Sequence, residues 1–406
     1  GEVEVKWQDK RGTFSRQFFV SRPDNVIVIR LKSSDGSRID NVLDLSQITT
    51  CDPGRVKKFA LDEKLGIEKI ESKAFEGGLS FRAWYERPWN GSFKGYEGVV
   101  KVVRSDGEVR AENGKLFIED ASDVLLLARV EPSSDMEHSS VENMLSALEK
   151  LPADYDELLS PHKKIHGELF GRVSLDLNAQ ESDRQKSSEE LLALGGENPA
   201  LIEKIFDAAR YNVICATGIN PPNLQGIWGA TMTPPWSGDY TTNGNKRPVQ
   251  KGMRIRPKTR KRAAPWARPS ACRSPLFDRL ESYMDDFKVN AQELYGCRGI
   301  HVPSRFSTHG LNNHFDATWP MTFWTVGAAW YSLFYYDYYL YTLDEDFLRD
   351  RALPFMEQAA LFYEDFLVEC EDGKYLFNPS YSPENHPKNN PNQACINATM
   401  EVMGAN

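Results

Sequence analysis

The stretch Asn220–Asn245, N-P-P-N-L-Q-G-I-W-G-A-T-M-T-P-P-W-S-G-D-Y-T-T-N-G-N, constrains the fold more than any other part of the chain. It suits neither a regular helix nor a regular strand. Pro221, Pro222, Pro234 and Pro235 each remove a backbone donor and fix φ. Gly226, Gly229, Gly238 and Gly244 admit backbone that other residues avoid. Yet the stretch also carries Trp228, Trp236 and Tyr240 beside Asn220, Asn223, Gln225, Asp239, Asn243 and Asn245. Aromatics run against disorder, so it reads as a long shaped loop, and such loops are usually functional. Aromatic faces beside amides and one carboxylate suit a sugar ring, whose C–H faces stack while its hydroxyls need donors and acceptors. The same composition also fits a loop with only a structural task.

The sequence on either side differs in period. Residues 1–135 read as β, with short β-branched runs at Arg16–Val20, Asn25–Leu31, Gly98–Arg104, Lys115–Glu119 and Asp123–Val130. Arg22-Pro23-Asp24-Asn25, Ser105-Asp106-Gly107 and Glu112-Asn113-Gly114 punctuate them as turns. Many short strands with this punctuation predict a β-sandwich. Residues 136–182 read as a helical linker: Met144, Leu145, Leu148 and Leu151 share a face, and Pro152 and Pro161 are expected to break it. From 183 to 406 the pattern is helical, with helices predicted at Glu189–Leu194, Pro199–Ile214, Leu276–Tyr295, Trp319–Thr342 and Asp346–Val368. Phe323, Trp330, Phe334, Tyr338 and Tyr341 fall at helical spacings, a stripe read as core. Both ends read as cut points within structured elements.

Composition narrows the class. At 406 residues the chain can bury a sizeable core and is read as two domains. A net charge of −9 argues against general nucleic-acid binding, and no run approaches a membrane span. Six scattered cysteines show no zinc-site spacing, and no metal or cofactor is expected. Ser/His/Asp nucleophile motifs and phosphate-cradling glycine loops do not occur. One segment departs from the acidic whole: residues 246–273 hold eleven Lys and Arg and no acid. It reads as a basic nucleic-acid patch, a disordered insertion or a shifted reading frame, and Trp266 as its lone aromatic favours the latter two.

N-L-Q-G-I-W followed by P-P-W-S-G-D-Y-T-T-N-x-N resembles the signature of glycoside hydrolase family 95, and S-P-E-N at Ser382–Asn385 resembles that family's general-acid motif. The resemblance covers most of the chain outside 246–273. It implies a multidomain β-then-α chain: an incomplete β-sandwich, a helical linker and an incomplete (α/α)6 barrel. It also implies an inverting exo-glycosidase that releases terminal α-L-fucose or α-L-galactose from oligosaccharides or glycans. The other reading is a catalytically inactive glycan-binding or misassembled fragment of such an enzyme. Periplasmic or secreted localisation is expected, and the oligomeric state stays open.

Inversion needs a general acid and a group that activates water. Glu384 is the expected acid; shielding by Tyr381, Pro383 and Pro387 would raise its carboxyl pKa. The resemblance puts the water-activating role on Asn245, helped by Asn243. A neutral amide is a very weak base alone, and the Asp that polarises it in the family comes from a later segment than this sequence includes. Gly244 also stands where the family usually carries Ile. Thr241 occupies a position where fucosidases of the family usually carry His; its smaller side chain would admit or bond a hydroxymethyl group, as L-galactose requires. Asp239, Trp236 and Trp228 line the cleft or brace the loop. Asn312, Asn313, His314, Asp316 and Trp319 resemble a substrate-proximal segment, with Trp319 placed to stack on sugar. His314 is counted among the substrate-binding residues, although a structural role fits it better, since no partner spacing suggests a metal.

Overall fold

A computed structural model describes residues 1–45, 66–88, 91–229, 238–243, 275–316, 318–386, 388 and 392–405. Trp236, Asn245, Pro387 and the basic segment 246–273 lie outside the described residues, so the expectations placed on them are not addressed. The described chain divides into two compact units, one within Gly1–Gly171 and one from Arg172 onward.

The first unit contains β1 (Val3–Asp9), β2 (Gly12–Ser21), β3 (Val26–Ser33), β4 (Ile39–Leu43), β5 (Ile67–Phe75), β6 (Gly78–Tyr85), β7 (Gly95–Ser105), β8 (Glu108–Glu112), β9 (Lys115–Ala121) and β10 (Asp123–Ser133). Among the described residues they form a large sheet in the order β1-β2-β3-β10-β7-β6-β5 and a small one in the order β4-β9-β8. All pairings are antiparallel. The turn signals hold: Asn113 and Gly114, at φ 51° and 74°, close the β8–β9 hairpin with the left-handed backbone that Asn-Gly favours.

Strand β10 shows why its sequence is apolar throughout. Val124 and Leu126 enter a core with Phe14, Ile39, Ile118 and Ala121, between the two sheets. Leu125 and Leu127 point the other way, against α1 (Val141–Glu149) and α2 (Tyr155–Gly171). A central strand covered on both faces alternates direction but not polarity. The helices read as linker therefore form a third layer on the large sheet. Pro161 does not break them: it lies inside α2. An interior proline costs a helix about 3 kcal/mol, but Leu158, Leu159, His162 and His166 on that helix are all buried, which outweighs it. The N-terminus of α1 is held by Glu97, fully buried, which accepts from the Ser140 backbone N–H at 2.7 Å and from Ser139 Oγ at 3.0 Å, and pairs with Arg82.

The second unit is mainly helical: α3 (Glu181–Arg184), α4 (Ser188–Ala193), α5 (Pro199–Ala216), α6 (Pro275–Glu281), α7 (Met284–Tyr295), α8 (Gly327–Thr342), α9 (Leu353–Phe366) and α10 (Thr399–Ala405). Local chemistry sets several starts. Ser187 and Glu190 form a reciprocal capping box on α4, and Asn198 caps α5 with Pro199 in its first turn. Three predicted helices are divided. Leu276–Tyr295 breaks at Ser282 and Tyr283, because Tyr283 leaves helical geometry to pack on Phe287 and Phe306 and to donate to the Ser307 carbonyl at 3.2 Å. Trp319–Thr342 begins as a 3-10 turn at Met321–Phe323, and the α-helix starts only at Gly327. A Cβ on Gly327 would stand 2.1 Å from the Val302 carbonyl oxygen, so only glycine lets the segments approach. The third, Asp346–Val368, is a short turn at Glu345–Phe347, a π-helical turn at Leu348–Ala352 and then α9.

The core of this unit is aromatic. Phe277, Phe287, Phe306, Tyr331, Tyr335 and Phe355 are buried together, with Tyr335 stacked on Phe355 at 4.5 Å between centroids. Of the predicted stripe, Phe334 is buried and Trp330 and Tyr338 pack against this core, whereas Tyr341 is exposed.

Candidate active site

The end of the long loop is fixed by a two-residue strand. Tyr240 pairs with Phe306 and Thr241 with Arg305 in an antiparallel bridge, and the Thr242 N–H donates to the Ser304 carbonyl at 2.7 Å. Thr242 Oγ1 adds a bond to the Pro303 carbonyl at 2.6 Å. Farther back, the Leu224 N–H donates to the Asp239 carbonyl at 3.1 Å, closing the loop on itself. Arg279 ties in its start: it donates to Asn220 Oδ1 and to the Tyr283 hydroxyl, and lies against the Tyr240 and Tyr283 rings. Gly226, at φ 60°, has the Trp228 ring folded over it, 2.8 Å from where a Cβ would stand. Trp228 is otherwise 54% exposed.

Directly opposite residues of an antiparallel pair share a face, so Thr241 and Arg305 stand side by side. Arg305 forms an ion pair with Asp239 at 2.5 Å, and both side chains are largely buried. Burial raises the Asp239 carboxyl above its ordinary pKa, against the opposing pull of Arg305 and His314. Burial, and then the Arg305 charge, lower His314, so its ring is neutral at pH 7. His314 is thus coupled electrostatically to both Asp239 and Arg305. The His314 loop is held by its own backbone: its N–H donates to Asn312 Oδ1 at 3.1 Å, and its carbonyl accepts from Thr322 Oγ1 at 2.6 Å. Asp316 Oδ1 takes the N–H groups of Thr318 and Trp319, leaving Trp319 46% exposed.

The distribution of unused polar atoms is informative. Among the described residues, Asn223 Oδ1, Gln225 Oε1, Thr241 Oγ1, Asn243 Oδ1, Asn312 Nδ2 and His314 Nε2 are buried with no hydrogen-bond partner. Buried polar groups are normally paired. These six lie on the loop and on the Asn312–His314 segment, and they include donors and acceptors; other such atoms, His301 Nδ1 and His309 Nδ1 among them, lie on other segments. That inventory suits a ligand carrying several hydroxyls.

Glu384 sits on a different element. Ser380–Tyr381 pairs with Ala394–Cys395, and the chain turns through Pro383 and Glu384. Tyr381 is fully buried among Met321, Trp324 and Val326, and its hydroxyl donates to Gln393 Oε1 at 2.8 Å. The Tyr381 hydroxyl is pushed up to about 12, first by burial and then by the Glu384 charge, so the two are neighbours. Glu384 itself is exposed. Shielding by Tyr381 and Pro383, expected from sequence, is therefore not provided: the ring points into the core beneath the carboxylate. The Met321–Trp324 segment touches both the His314 loop and this hairpin: Thr322 Oγ1 donates to the His314 carbonyl, and Met321 and Trp324 pack on Tyr381. Asp239 and Thr241 come together at Arg305, with Asn243 two residues beyond Thr241 on the same loop, and His314 is coupled electrostatically to Asp239 and Arg305; Glu384 and Trp319 lie on separate segments. Among the described residues, no group of three or more His, Cys, Asp or Glu is placed to hold a metal ion, and no helix is long and apolar enough to cross a membrane.

Arg305 was not singled out from sequence. The only signal was its position in P-S-R-F, a short run after Pro303, and nothing in that run names Asp239 as its partner.

The fold is shared with a solved structure described as a putative kojibiose phosphorylase from human microbiome, at a TM-score of 0.57 and 10% identity over 94% of this chain and 47% of that one. That likeness concerns architecture alone. Residues 1–136 match the Glycosyl hydrolase family 65, N-terminal domain, and residues 154–403 match the Glycosyl hydrolase family 95 catalytic domain. The chain belongs to glycosyl hydrolase family 95. It is 26% identical to Alpha-L-fucosidase 2 of Arabidopsis thaliana over 96% of its length and 47% of the relative's. It is 29% identical to Probable alpha-fucosidase A of Aspergillus niger over 57% of its length and 29% of the relative's. It thus spans about half the length of the first of these relatives or less.

Proposed function

We propose that this protein is an inverting exo-glycosidase that removes terminal α-L-fucose or α-L-galactose from oligosaccharides or glycans, outside the cytoplasm. In this reading the helical unit belongs to an (α/α)6 barrel. Glu384 protonates the departing oxygen. Asn245, assisted by Asn243, positions the attacking water, and a carboxylate polarises the amide. Thr241, Asp239, Trp236, Trp319 and His314 hold the sugar.

The observation that carries the proposal is the set of buried, unpartnered Thr241 Oγ1, Asn243 Oδ1 and His314 Nε2, on the segments that also carry the Asp239–Arg305 pair or couple to it electrostatically. A site with buried unpaired donors and acceptors favours a ligand that satisfies them by several kcal/mol over one that does not. Thr241, only 6% exposed, adds a preference. Its free hydroxyl suits the hydroxymethyl group of L-galactose, which L-fucose lacks. The relatives, Alpha-L-fucosidase 2 and Probable alpha-fucosidase A, favour fucose, so both sugars stay within the proposal.

The test uses aryl α-L-fucoside and aryl α-L-galactoside with this chain and with a chain extended to the length of its relatives. Proton NMR of the first turnovers should show the β-anomer, as inversion requires. An α-anomer as first product would overturn the mechanism, and no hydrolysis of either substrate by the extended chain would overturn the activity.

A further inference from the structure

A second buried carboxylate lies beneath the acid hairpin. Glu401, on α10, is fully buried and forms no ion pair among the described residues. Its Oε1 accepts from the Thr325 backbone N–H at 2.8 Å, and its Oε2 accepts from Ser380 Oγ. Ser380 Oγ in turn accepts from the Ala398 N–H at 2.9 Å. These contacts join three segments at one point. Thr325 follows Trp324, on which Tyr381 packs. Ser380 opens the strand that leads to Glu384, and Ala398 follows the returning strand.

A lone buried carboxylate costs a core several kcal/mol, and an apolar residue of similar volume would stabilise it more. Such a group makes sense where it fixes a geometry that apolar packing leaves loose. Sites of this kind need their groups held within roughly 0.5 Å by supporting contacts. Burial also lifts this carboxyl to about 7, as expected for a group held without a cation.

We infer that Glu401 is a positioning residue for the acid: by tying Ser380 to Thr325 it sets where residues 381–384 stand. This rests on the reading of Glu384 as the acid. Glu401→Leu removes both bonds, Glu401→Gln keeps an acceptor for Thr325 and can donate its amide N–H to Ser380 Oγ, and Ser380→Ala cuts only the link to the hairpin.

The first readout is hydrogen exchange in this chain. Glu401→Leu and Ser380→Ala should speed exchange of amides 381–386 about tenfold or more, while amides of α9 stay as in the parent; Glu401→Gln should lie near the parent. Unchanged exchange at 381–386 in both Glu401→Leu and Ser380→Ala overturns the inference. If Glu401→Leu does not fold, Ser380→Ala decides. The second readout is kcat in the extended chain on an oligosaccharide and on a nitrophenyl glycoside. Displacing the acid should lower kcat on the oligosaccharide about tenfold or more and far less on the activated substrate, with KM unchanged and Glu401→Gln largely rescuing. A loss equal on both substrates would mark general destabilisation and overturn the inference. Glu384→Gln runs in parallel: leaving-group dependence there but not in Glu401→Leu overturns positioning alone, and its absence from Glu384→Gln overturns both.

Discussion

Arg305 and Asp239 meet at 2.5 Å with side chains only 16% and 12% exposed, across the strand pair that carries Thr241. Removing one member of a buried pair leaves the other charged and unpaired. Arg305→Met should therefore cost about 3–5 kcal/mol of stability, read from urea or thermal unfolding. The double change Arg305→Met with Asp239→Leu should recover much of that loss without restoring sugar binding. A single variant within about 0.5 kcal/mol of the parent would show that the pair contributes no more than exposed pairs do.

Thr241 offers a second test, through specificity. Thr241→His fills the space beside Arg305 and brings in the residue usual in fucosidases of this family. The ratio of kcat/KM for α-L-fucoside over α-L-galactoside should rise by about tenfold or more, in line with 1–3 kcal/mol for one group in a pocket. A ratio that does not move would take Thr241 out of the C5 subsite.

Glu384 should behave as an acid. Glu384→Gln should keep sugar affinity while kcat on oligosaccharides falls by about 10²–10⁴-fold. On an aryl glycoside with a good leaving group the fall should be much smaller, because that group departs without a proton. Equal falls on both substrates would argue against the assignment.

Glu401 adds a pH dependence of stability. Burial lifts its carboxyl from an ordinary value of 4.5 to about 7 in the fold, so the folded chain binds this proton more tightly than the unfolded chain. The contribution is most favourable below the unfolded value and is lost as pH rises through about 7. Over that window it amounts to roughly 3 kcal/mol at most, at 1.36 kcal/mol per unit. Calorimetry of the parent and of Glu401→Gln between about pH 4.5 and 8 should show the parent losing stability relative to the variant as pH rises. Parallel curves would place the titration elsewhere.

Much of the first unit was legible because its signals are local. Asn113-Gly114 requires the left-handed turn that is observed, and the unbroken apolar run of β10 follows from burial on both faces. Helix existence was equally legible, but not where helices stop. Tyr283 leaves its helix for Phe306, Gly327 starts one where the Val302 carbonyl comes close, and Pro161 stays inside one because α2 buries its apolar face. Each of these is decided by a partner distant in sequence, so no local period contains it.

The candidate site divides the same way. Sequence by itself determined that residues 220–229 and 238–243 would be irregular chain bearing Thr241, Asp239 and Asn243, and that S-P-E-N would form a turn presenting Glu384, because proline and glycine restrict backbone within a few residues. Tertiary structure alone decided that Arg305 pairs with Asp239, that His314 couples electrostatically to both, and that Glu401 holds Ser380 at the start of the Glu384 hairpin. Those relations depend on burial, and burial depends on which distant segments come to cover a residue.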